Sequence, residues 1–377
     1  MRERRGITSG SMSSVPRKSN IELFRILAMW GILILHCMGQ GRVLDTVVPE
    51  NLNYYLVWTL EAFCYASVNV FALISGYFLI YGRFKVCKVF SLWVEIFFWS
   101  IVVFCIAVAM GVCPLDGLSL VKTIFPVIMR PWWYASCYLG LYLLSPFLRK
   151  GLLSLTQRQH AALVLVGLAL FCLPYDTFNV ASGYSLIWLV YLFCLAGYVR
   201  RFGLFVQVST RALTLLWLAS SFSIAGFKFL LENAFPGTSY SLLLYGYNSL
   251  PCLVASVCAF LLMLRLTIPT SRAINVVAGS TFGVFLVHSH FAIRDTLWVA
   301  LGSGTIAGAH PLQLLLFVML ATLAVFVVCA GFELMRQKLF SMMGVSTFLD
   351  WIAEACSQQF DRLLIWLVSL SPDGGKE

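Results

Sequence analysis

Apolar residues run through this chain in blocks rather than in alternation or in a single helical stripe. Each block is roughly 20 residues long, the length a helix needs to cross the hydrocarbon core of a bilayer. The pattern predicts ten spans at 21–39, 52–80, 87–111, 132–149, 160–175, 183–199, 211–231, 245–265, 279–300 and 312–335. Each must be helical, because lipid offers backbone N–H and C=O groups no partner. The fifth is short and reaches Pro174 near its end. After the tenth, Thr347 to Leu370 interleaves Trp351, Ile352, Phe360 and Leu364 with Asp350, Glu354 and Asp361. That texture predicts an amphipathic helix, either on the membrane surface or packed on the bundle. The expected fold class is therefore an all-α polytopic membrane protein, a bundle of about ten transmembrane helices. Residues 1–20 form a basic tail, 21–340 the transmembrane domain and 341–377 an amphipathic cytoplasmic segment.

Composition sharpens this picture. Sixty percent of the residues are hydrophobic and 11% charged, against roughly 25% charged in a soluble domain. The formal net charge of +10 would suit nucleic acid, but in so apolar a chain it fits an excess of Lys and Arg on cytoplasmic loops. With the N-terminus inside, Arg17 and Lys18, Arg83, Lys85 and Lys88, Arg149 and Lys150, Arg200 and Arg201, Arg265 and Arg272, and Arg336 and Lys338 all fall on the inner side. This alternation predicts both termini in the cytoplasm. The 12 cysteines include no C-x-x-C pair, and no His, Cys and carboxylate spacing suggests a metal site. Neither nucleic acid nor a metal is expected, and no cleavable signal pattern is evident.

An ionisable group at membrane depth is expensive, so it points to function. The first span carries Arg25 and His36. Eleven helical steps rise about 16 Å and turn about 1,100°, roughly 20° past three full turns. The two side chains therefore share a face, Arg25 near the inner edge and His36 farther across. Taken singly, Arg25 could be a snorkelling anchor and His36 a hydrogen-bonded packing residue. Ser19 and Glu22 have the spacing of a capping box.

The run Ile21 to His36 resembles the opening helix of the membrane acyltransferase-3 family, the O-acyltransferases of surface polysaccharides, whose Arg-x10-His motif Arg25 and His36 match. Val68 to Tyr77, with its Ser75-Gly76-Tyr77, resembles that family's second-helix signature. Trp133-Tyr134 with Tyr138 to Pro146, and Phe282 to His288, resemble two later elements, although Phe285 and Ser289 depart from the usual residues. The resemblance implies transfer of an acyl group, in the first instance acetyl, from cytoplasmic acyl-CoA (acetyl-CoA) to a hydroxyl of a cell-envelope glycan or lipid-linked saccharide, in a bacterial plasma (inner) membrane.

Residue chemistry agrees. The Arg25 guanidinium suits a phosphate, and Ser75, Gly76, Tyr77, Arg83 and Lys85 fall near the same cytoplasmic head. His36 has the side chain to take a proton from a sugar hydroxyl as it attacks a thioester, or to carry the acyl group itself. Glu61 is the expected partner that orients His36, with Glu95 its competitor. Trp133 and Tyr134 offer faces on which a sugar can stack. His288 is expected to contact the acceptor, with His290 and Arg294 following it on the same helix; His160 and His310 fall at span ends. A glycan or metabolite transporter or flippase would also use buried charge along a polar path, and is the alternative from another class.

Overall fold

The computed structural model describes residues 19–173 and 177–369, which contain helices joined by short loops and no β-strand. Most of the expected basic tail, Pro174 and residues 370–377 lie outside them. In chain order the helices are α1 (Ser19–Gly39), the short α2 (Val43–Thr46), α3 (Leu52–Leu79), α4 (Val86–Ala109), α5 (Gly117–Ile124), α6 (Trp133–Ser154), α7 (Gln157–Phe171), α8 (Leu186–Phe202), α9 (Thr210–Ala234), α10 (Leu250–Arg265), α11 (Arg272–His288), α12 (Arg294–Ala300), α13 (Ser303–Ile306), α14 (Pro311–Met342) and α15 (Val345–Ser369). By length and composition, five segments can cross a bilayer: the one beginning at Ser19, α3, α4, α9 and α14. The apolar helices α10 and α11 are shorter.

Local chemistry sets the boundaries. Ser185, Ser209, Ser249 and Ser271 open α8 to α11, each hydroxyl accepting the backbone N–H three residues on. Pro146 lies inside α6 and cannot donate to the carbonyl of Tyr142; the Ser145 hydroxyl donates to it instead, at 2.6 Å. The expected capping box at Ser19 is replaced by tertiary bonds. Ser19 Oγ donates to Asn275 and accepts the Ser271 N–H, while Glu22 pairs with Arg25. Asn20 Nδ2 donates to the carbonyls of Met263 and Leu266, at the end of α10. These bonds bring the starts of α1 and α11 together with the end of α10, at what we call the basic end.

α1 packs against α3, α11 and α14, and α3 also against α8, α9 and α10. Asn69, fully buried in α3, donates to the Tyr247 carbonyl at 2.7 Å and accepts from Trp188 Nε1 at 2.9 Å, which fixes α8 and the loop before α10 to one point. One expectation changes here. The span expected at 279–300 is broken after His288. No proline causes the break: His290 Nδ1 accepts the Ala292 N–H, and its Nε2 donates to the Ser100 carbonyl on α4, so the side chain holds the turn. The C-terminal amphipathic helix is present as α15. Leu349 and Ala353 are buried where it packs on α4, whereas Phe360 and Leu363 to Val368 are exposed.

Candidate active site

Spacings of four, three and four place Arg25, Met29, Ile32 and His36 on one face of α1. The last three line a narrow apolar chamber with Val68, Phe71, Tyr134, Phe282 and Phe285. His36 also borders a second chamber, of about 370 Å³, among Gln40, Glu61, Tyr65, Trp133, Tyr184, Tyr247 and Arg294. Trp133, Tyr247 and Phe285 line both chambers, so the imidazole stands where the two compartments meet.

Hydrogen-bond partners assign the protons. His288 Nδ1 lies 2.6 Å from the Val284 carbonyl oxygen, which can only accept, so Nδ1 carries the hydrogen. With both rings neutral, His288 Nε2 then carries a lone pair. It lies 2.9 Å from His36 Nδ1, which must donate to it. His36 Nε2 is left with a free lone pair, the form a general base requires.

His288 is fully buried behind His36, hydrogen-bonded to it, and lines neither chamber. Glu61 makes no hydrogen bond to His36 among the described residues. It lines the second chamber, and its Oε2 has no partner. Glu95 pairs with Arg336 at 3.5 Å on another side of the bundle. Trp133 lines both chambers; Tyr134 lines the apolar one, with its hydroxyl unpartnered. Arg25 pairs with Glu22 at 3.1 Å, and its charge lies near the hydroxyls of Tyr134 and Tyr138.

At the basic end, Arg83 lines a cleft of about 340 Å³ with Gly82, Phe84, Ser145, Arg149 and Lys150. Arg149 donates from Nη1 to the Gly82 carbonyl at 3.0 Å, while its Nε has no partner. Lys85 does not line this cleft. Its side chain is exposed, and its backbone N–H donates to the Tyr142 hydroxyl. Ser75 donates to the Phe71 carbonyl. Gly76 and Tyr77 belong to helix packing: a Cβ at Gly76 would stand 3.0 Å from both Ala196 Cβ and Phe193 Cα, and the Tyr77 hydroxyl accepts from Arg200 at 2.7 Å. A ligand has no room beside Gly76 because α8 fills it.

The remaining histidines are structural. His160 bridges the Cys194 carbonyl and Arg201, and His310 caps α14. Among the described residues no group of three His, Cys, Asp or Glu side chains is arranged to hold a metal ion. Periodicity did not reveal Tyr65, Tyr184, Tyr247, Arg149 or Lys150 as site residues. For the last two, the run of basic residues after Pro146 was the available signal.

The family model described as an acyltransferase domain (acyltransferase type 3) matches residues 18–333. No curated protein and no solved structure matches the chain.

Proposed function

The chain belongs to the acyltransferase-3 family, and from that premise we propose that it is a multi-pass O-acyltransferase of the bacterial plasma membrane. It moves an acyl group, in the first instance acetyl, from cytoplasmic acyl-CoA to a hydroxyl of a cell-envelope glycan or lipid-linked sugar. In this reading ten spans place both termini and the basic end in the cytoplasm. The single observation that carries it is His36, whose bonded Nδ1 and free Nε2 sit at the junction of two chambers.

The cleft of Arg83, Arg149 and Lys150 suits the phosphates of the donor's head, since it offers three cations and, among the residues lining it, no acid. Arg25 lies on the His36 face of α1 and supplies a further positive charge along the way. His36 Nε2 removes the hydroxyl proton as that oxygen attacks the thioester carbonyl. The new C–O bond forms, the C–S bond breaks, and the proton passes to the departing thiolate. An acyl-imidazole on the same Nε2 is the two-step route to the same product.

The test uses the purified chain in nanodiscs, acyl-CoA labelled in its acyl group and a glycan or lipid-linked saccharide acceptor. Acylated acceptor and free CoA in equal amounts are expected. Movement of the acceptor across the bilayer with no label transferred would make the protein a flippase instead. Replacing His288 by phenylalanine removes the acceptor of the His36 Nδ1–H. It is expected to lower kcat about 10- to 100-fold with both KM values unchanged. A raised KM for the acceptor at constant kcat would return His288 to substrate contact.

A further inference from the structure

We propose that the chamber lined by Glu61 selects an acceptor carrying a protonated amine beside its reactive hydroxyl, an amino sugar being the simplest such molecule. This rests on the acyl-transfer reading and adds the acceptor's charge to it.

Glu61 is 7% exposed and lines the chamber, and its buried Oε2 has no hydrogen-bond partner. Gln40, on the same wall, has a second acceptor oxygen in that condition. Lys228 binds Glu232 at 2.6 Å and lies over the Trp58 ring, and Arg294, which lines the same chamber, is partly open to solvent and has Asp295 at 3.6 Å. Among the described residues none forms an ion pair with Glu61. A buried carboxylate without a counter-charge is costly, and a ligand ammonium both neutralises it and donates the hydrogen bonds its oxygens lack.

Aromatic faces complete the enclosure. Tyr184 and Tyr247 have ring centroids 4.7 Å apart, Trp133 and Tyr184 4.8 Å, and Tyr65 and Tyr247 4.9 Å. Such faces attract a cation and also accept the apolar side of a sugar ring. The amine, held protonated by Glu61, is not a nucleophile. The neighbouring hydroxyl remains the group that gives its proton to His36 Nε2 and forms the ester.

The experiment compares methyl glucoside, methyl 2-amino-2-deoxyglucoside and the N-acetylated form of the latter as ligands and acceptors, with the full chain in nanodiscs. The free amine is expected to bind about tenfold more tightly than either neutral sugar. In Glu61→Gln the three should fall within about twofold of one another, whereas Glu61→Asp should keep the preference. Retained binding of acyl-CoA reports that each variant is folded. If Glu61→Gln does not fold, the parent and Glu61→Asp decide. Equal binding of the three sugars by the parent chain, or an amine preference that survives in Glu61→Gln, overturns the proposal. N-acylated product would also overturn it, because the amine would then be the nucleophile. Equal acylation of neutral and amino sugars removes charge selection and leaves acyl transfer standing. Selective binding of the amine without acylation of any sugar does the reverse.

Discussion

Replacing His36 by alanine is expected to lower the turnover of acyl transfer by about 10²- to 10⁴-fold, the usual contribution of a positioned general base. The loss should be concentrated in kcat, because the side chain borders the reacting compartments while the basic cleft proposed for the donor's head is lined by residues of α3, α6 and the loop after α3. Acyl-CoA should therefore bind the variant as it binds the parent. The folded state should survive, since the truncation enlarges an existing chamber rather than opening a void in a packed core. Labelled acyl transfer and donor binding, measured on one preparation, check both statements. Unchanged turnover would remove His36 from the chemistry whatever its position. Abolished donor binding would place it in the donor site instead.

Why His36 was legible in the sequence while its hydrogen-bond partner was not is a matter of distance along the chain. Arg25 and His36 share one helix, and helical arithmetic alone puts them on one face. His288 is 252 residues from His36 and meets it only because α11 lies beside α1 with both starts tied together through Ser19 and Ser271. No periodicity encodes that register. Glu61 lines the second chamber together with His36 but makes no hydrogen bond to it among the described residues. Gly76 gave the signal of a close approach correctly, yet the approaching element is α8 and not a ligand. Tyr184 and Tyr247 stand outside the long helices, where no repeat marks a side chain as facing a site. The break after His288 carries no proline or glycine signature in the sequence, because a histidine side chain anchors it. The helix positions were readable because apolar runs and serine caps are local; the sites came from contacts that are not.

The largest stability effect is expected at Glu333, an acidic residue in the last third of the mostly apolar α14. Its carboxylate is fully buried. It accepts from Arg336 at 2.5 and 2.8 Å, from Trp99 Nε1 at 2.8 Å and from Gln337 Nε2 at 2.8 Å. Glu95 reaches the same guanidinium at 3.5 Å, so α4 and α14 meet through one charge network. Gly283 of α11 leaves the space this carboxylate occupies, and a Cβ there would collide with it. Glu333→Ala strips Arg336 of its closest partner and leaves the Trp99 N–H buried without an acceptor. A broken buried pair of this kind costs about 3–5 kcal/mol. The measurement is the unfolding midpoint of the detergent-solubilised protein. Glu333→Gln should fall between parent and Ala, because its amide oxygen still accepts from Trp99. The double variant Glu333→Leu with Arg336→Met should be more stable than Glu333→Ala, since removing both charges leaves no guanidinium without its partner. A double variant no better than Glu333→Ala would mean that the network stabilises through its shape and its hydrogen bonds to Trp99 and Gln337, with the ion pair contributing little.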